Sequence, residues 1–127
     1  MNIKKGLFWH LHHQVLVEWC FDYDERAEYI RTEKPENERE LRLRLFQPVK
    51  GELPQEVVKA EQAYDKAWQA YDKTWQAYYK KTWQALDKAR RALNEALRKN
   101  MPAIEALHKV ECPNCPWNGQ TIFPRKG

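Results

Sequence analysis

The architecture turns on one stretch: Ala63-Tyr64-Asp65-Lys66-Ala67-Trp68-Gln69, then Ala70-Tyr71-Asp72-Lys73-Thr74-Trp75-Gln76, then Ala77-Tyr78-Tyr79-Lys80-Lys81-Thr82-Trp83-Gln84. A degenerate fourth copy, Ala85-Leu86-Asp87-Lys88-Ala89-Arg90-Arg91, follows. Aromatic residues spaced four and three apart in a seven-residue repeat form a heptad. Trp68 and Trp75 take one seam position, and Tyr64, Tyr71 and Tyr78 the other. Neither Gly nor Pro occurs between Pro54 and Lys99, and Pro54 suits a helix start. The pattern predicts one continuous helix of about 46 residues, about 69 Å long.

The third copy carries one extra residue, within Tyr78-Tyr79-Lys80-Lys81. Lacking Gly, Pro or Asn, it is read as a skip that rotates the seam, not as a turn. Beyond it the seam follows Tyr79, Trp83, Leu86, Leu93 and Leu97, while the old frame would follow Ala85, Ala89, Ala92 and Ala96. Asp65 and Asp72 face Gln69 and Gln76 four residues on, not Lys, so side-chain ion pairs do little to hold a solitary rod. The aromatic stripe therefore needs another helix. A homo-oligomer, either a dimer (antiparallel in one form) or a bundle, is the favoured expectation. A folded-back monomeric hairpin and a different helical protein partner are the alternatives.

Upstream, Leu7, Trp9, Leu11, His13, Val15, Val17, Trp19 and Phe21 occupy every second position. Period two predicts a long strand, or a hairpin turning near His12-His13-Gln14. Asp22-Tyr23-Asp24 offers an N-cap to a short helix ended by Pro35. Leu41, Leu43 and Leu45, alternating with Arg42 and Arg44, predict a further strand up to Pro48. Downstream, Asn100 precedes a short helix over Ala103–Lys109, with Ile104 and Leu107 inward, and Asn118-Gly119 signals a tight hairpin. The expected fold is α+β: a small N-terminal β-α-β unit (residues 1–50), one long heptad-repeat coiled-coil helix (51–99), and a short C-terminal helix with a zinc-knuckle-like hairpin and basic tail (100–127).

The chemistry concentrates at Cys112-Pro113-Asn114-Cys115, with His108 four residues earlier. Two thiolates at this spacing chelate one zinc, because the turn between them points both sulfurs inward. His108, Cys112 and Cys115 make three ligands, and a tetrahedral site needs a fourth. His10 or His12 is the preferred fourth ligand, with Cys20 kept open. The segment resembles short zinc knuckles over a few residues, which implies a structural zinc. Thioredoxin-like redox motifs instead open a helix after a strand, whereas this one follows a helix and enters a turn. On a straight rod, the N-terminal histidines and the knuckle would sit at opposite ends. The site would then close between chains of an antiparallel dimer, and within one chain only if the rod folds back.

Composition limits what else the chain does. It has 127 residues, a mean hydropathy of −0.91 and yet 13% aromatic residues, too many for a disordered polymer. No apolar run is long enough for a membrane-spanning helix. His10, His12 and His13 interrupt the region after Met1-Asn2-Ile3-Lys4-Lys5, so no signal peptide is expected. Three cysteines are too few for a disulfide framework, which favours a reducing cytoplasm. The formal net charge of +4 arises in residues 55–99, which hold 10 basic and 6 acidic groups. That excess is ordinary for a solvated helix and weak for a dedicated nucleic-acid binder. The favoured function is a non-enzymatic oligomeric binding, scaffold or small regulatory protein. The rival is a metal-dependent nuclease or hydrolase using His10, His12, Glu18 and Asp22. Nucleic-acid binding along the basic helix is the third expectation.

Overall fold

The computed structural model describes residues 4–73 and 79–123. The chain divides into two compact units, residues 1–51 with 108–127, and residues 52–107.

In the first unit, β1 (Gly6–Trp9) pairs antiparallel with β2 (Val17–Cys20), Leu7 opposite Trp19 and Phe8 opposite Glu18. The period-two stretch is thus a hairpin, with residues 10–16 as its loop. Helix α1 (Tyr23–Glu33) follows, with the Asp22 side chain accepting the Glu25 N–H as its N-cap. Helix α2 (Glu36–Leu45) leads into the two-residue strand β3 (Gln47–Pro48), which pairs antiparallel with β1 to give the order β2-β1-β3.

The expected strand over Leu41–Leu45 is therefore a helix. Its composition explains the correction. Glu36–Leu45 contains only Glu, Asn, Arg and Leu, with no β-branched or aromatic residue. Acidic side chains occupy the first turn and basic ones the last, matching the helix dipole. Arg42, itself buried, donates twice to Glu38 Oε1 one turn back, at 2.9 and 2.7 Å. The Leu-Arg alternation was a helical stripe sampled over too few residues.

All four residues of β1 are buried, so the small sheet is covered on both faces. On one face Phe8, Cys20, Ile30 and Phe46 form a core against α1 and α2, with Leu11, Tyr23 and Leu43 packed around it. Tyr23 stacks on Phe46 at 5.0 Å between ring centroids. Leu7 is buried as well, and Trp9 meets the C-terminal segment, its ring 5.1 Å from that of His108.

The second unit holds α3 (Gln55–Asp72) and α4 (Tyr79–Lys99), packed along each other. Asn100, just past α4, donates to Glu56 Oε2 in the first turn of α3, so the two helices run antiparallel. The single long coiled-coil rod is thereby corrected: no helix among the described residues exceeds 21 residues. Residues 74–78, including the seam positions Trp75 and Tyr78 and the first residues of the skip, lie outside the described residues. The seam finds its partner within the chain. Tyr64, Leu86, Leu93, Ala96 and Leu97 are buried, Trp68 and Tyr71 half-buried, and Trp83 is 48% exposed. The side chain of Tyr79 is also outside the described set. Closing a short intramolecular connection costs less entropy than bringing two dilute chains together, so a self-complementary stripe folds back where the connection permits.

Helix α5 (Met101–Glu111) starts in the second unit, with Ile104 fully buried, and its last turn belongs to the first. Beyond it, Asn118 Oδ1 accepts the N–H groups of Gln120 and Thr121, and Gly119 takes φ +99°, so Asn118-Gly119 makes a turn. No strand flanks that turn among the described residues, which corrects the expected hairpin. Instead the Ile122 N–H bonds to the His13 carbonyl in the β1–β2 loop.

Candidate metal centre

His108 and Cys112 stand four residues apart at the end of α5, and the Cys112 N–H still bonds to the His108 carbonyl at 2.8 Å. They therefore share one face of the last turn. Pro113 ends the helix, and the next two residues turn back so that the Cys115 N–H reaches the Cys112 carbonyl at 3.2 Å. Both sulfurs consequently point to one side. The fourth donor comes from the far end of the chain. His10 leaves β1 with φ +52°, a left-handed conformation that costs a non-glycine residue about 1–3 kcal/mol. That backbone turn drives the imidazole into the knuckle, where it is only 2% exposed.

The ligand atoms of His10, His108, Cys112 and Cys115 all lie within 4.8 Å of one another. His10 Nε2 is 2.9 Å from His108 Nε2 and 3.1 Å from Cys115 Sγ. A tetrahedral zinc with bonds of about 2.0–2.1 Å to N and about 2.3 Å to S separates its ligand atoms by about 3.4–3.8 Å. The four donors thus surround a point of suitable size, and small side-chain rotations bring them to that spacing. The group could bind a metal ion.

The surroundings orient the donors. His10 Nδ1 lies 3.3 Å from the Val15 carbonyl, which accepts its N–H and leaves the Nε2 lone pair facing the cluster. Trp9 and Trp117 pack their rings against His108 and His10 at 5.1 and 5.3 Å. Burial, with the neighbouring His108, pulls the His10 pKa down to about 4, so its imidazole is neutral and able to ligate at neutral pH. Burial, with a hydrogen bond from the Cys112 S–H to Cys115, pushes the Cys112 thiol up to about 12. A divalent cation at the centre would reverse that second effect, since a coordinated thiol deprotonates. All three cysteines are free thiols.

Glu111, beside the knuckle, was not foreseen from the sequence. Its Oε1 accepts from Trp9 Nε1 at 3.0 Å and from the Lys50 N–H at 2.9 Å, and its Oε2 accepts from the Gly51 N–H. One carboxylate thus ties β1 and the chain after β3 to the end of α5. Nothing in the sequence marks a lone Glu as such a clamp.

The other candidate ligands lie elsewhere. His12 is exposed, its Nδ1 2.6 Å from Glu18 Oε1. Cys20 is buried in the aromatic core with Phe8 and Phe46. Asp22 caps α1. His10, His12, Glu18 and Asp22 therefore do not form one cluster; among the described residues, the group of His10, His108, Cys112 and Cys115 is the one assembled. It lies within a single chain, so the expected closure between two chains is not needed. Among the described residues, no helix is long and apolar enough to cross a membrane. Compared with known proteins, the chain matches no family model, no curated protein and no solved structure.

Proposed function

We propose that this chain is a small zinc-stabilised binding protein, in which His10, His108, Cys112 and Cys115 hold a structural zinc. The observation that carries the reading is the convergence of these four ligand atoms within 4.8 Å, from residues as far as 105 positions apart. Two thiolates and two imidazoles in tetrahedral array are the donor set of zinc. Four protein ligands fill its coordination shell and leave no position for a reacting water, which supports a structural role over metal-dependent hydrolysis. Two thiolate ligands also suit a reducing, cytoplasmic compartment. The unit the metal would hold is small, with a three-stranded sheet whose third strand has two residues. Such a unit has little core of its own and gains from a metal staple.

Apparent zinc-binding free energies of about 10–16 kcal/mol exceed the stability of most small domains. Stripping the metal with a chelator is therefore expected to unfold the first unit, with loss of the near-ultraviolet signal of Trp9 and Trp117. Much of the far-ultraviolet helical signal of α3 and α4 should persist, because their core excludes the site. A chain whose near-ultraviolet spectrum is indifferent to chelation would sink the proposal.

A further inference from the structure

The exposed face of α1 forms one wall of a groove of about 450 Å³. Leu11, Cys20, Phe21 and Tyr29 supply an apolar surface, and Phe21 and Tyr29 are 53% and 46% exposed. Asp22, Glu25, Glu28 and Glu33 surround it, against the single guanidinium of Arg26. Arg26 is committed locally: it donates to the Leu11 carbonyl at 3.0 Å and sits 5.0 Å over the Tyr29 ring. Glu28 pairs loosely with Arg31, and Lys34 also lies over Tyr29, but Glu25 and Glu33 have no ion pair among the described residues. The groove is therefore an aromatic slot with acidic edges.

The same chain presents the complement. Lys80, Lys81 and Trp83 are exposed in the first turns of α4, on a segment with an excess of four positive charges over residues 55–99. An indole left 48% exposed beside two exposed lysines is the kind of anchor that an acidic aromatic slot accepts.

We propose that the groove on α1 receives the Lys80-Lys81-Thr82-Trp83 segment of a second copy of this chain. Each copy carries both halves, so two chains can satisfy each other reciprocally. The self-association expected from the repeat is thereby moved from the buried heptad seam to two surfaces left open. It does not depend on the metal reading, because none of these residues is a ligand.

The test is the mass of the full-length chain in solution, by sedimentation across the micromolar range at low and high salt. A dimer that weakens with added salt is expected. Lys80→Glu with Lys81→Glu, or Glu25→Lys with Glu33→Lys, should each weaken it about tenfold or more. Trp83→Ala should do the same. Mixing the two charge-reversed variants should restore association, because the acidic helix of one then meets the basic groove of the other. That rescue also shows that neither variant has simply misfolded. A chain that stays monomeric throughout overturns the proposal, whether the groove is empty or takes some other basic peptide. A dimer indifferent to both reversals overturns it equally.

Discussion

His10 is where backbone, electrostatics and chemistry meet. A left-handed histidine, buried against a second histidine and a thiol, is costly, and the proposed metal would offset that cost. Its titration has a defined sign. The folded pKa of about 4 lies below the ordinary 6.5, so between those values the unfolded chain binds the proton in preference. In the native fold this contribution is present in full above about pH 6.5 and is lost as pH falls toward about 4. Urea denaturation at stepped pH checks this, and His10→Gln should flatten the slope in that window. Glu111 supports the same corner by accepting three hydrogen bonds, two of them from backbone. Glu111→Ala should lower the unfolding free energy by about 2–3 kcal/mol, because those donors lose a charged acceptor. At this scale the sequence spoke clearly for His108, Cys112 and Cys115, whose spacing is itself the chelating geometry. It left the fourth ligand open because strand alternation was extended through residues 10–16, which form a loop where that period does not apply. The carbonyl of Val15 and the carboxylate of Glu111 had no signal at all, since their roles depend on contacts distant in sequence.

Among the elements, two misreadings have physical causes. Leu41, Leu43 and Leu45 alternate as a strand would, but Glu, Arg and Leu are strong helix formers, and the Glu38–Arg42 pair exists only at helical spacing. Over five residues, period alone could not outweigh propensity. The heptad repeat was legible as helix and as a stripe in need of a partner. The partner's identity was not, because the same a and d pattern serves a rod in an oligomer or two helices folded together. Among the described residues Leu93 is 2% exposed and Leu86, Ala96 and Leu97 are buried within the one chain, where α3 and α4 pack along each other. Leu93→Ala should therefore cost about 2–5 kcal/mol of unfolding free energy, independent of protein concentration. A cost that grows with dilution would return the seam to an intermolecular role. The hairpin of β1 and β2, the Asp22 cap and the Asn118-Gly119 turn followed directly from local chemistry, which distant contacts did not override.

For the whole molecule, the first unit is made from both ends of the chain, with the helical hairpin in between. Such a unit depends on whatever joins its two segments. The Glu111 clamp and the Ile122-to-His13 bond contribute, and the proposed metal would add a third tie, drawing on His10 after β1 and on His108, Cys112 and Cys115. Composition foretold an ordered chain, through its 13% aromatic residues. It could not show that residues 98 positions apart would meet, since that contact exists only in the folded first unit. Native mass spectrometry of the zinc-loaded chain tests the central claim most directly. One zinc per chain is predicted, retained in the monomer and lost in Cys112→Ser with Cys115→Ser. A metal-free chain, or one that keeps its zinc when both cysteines are replaced, would contradict the account.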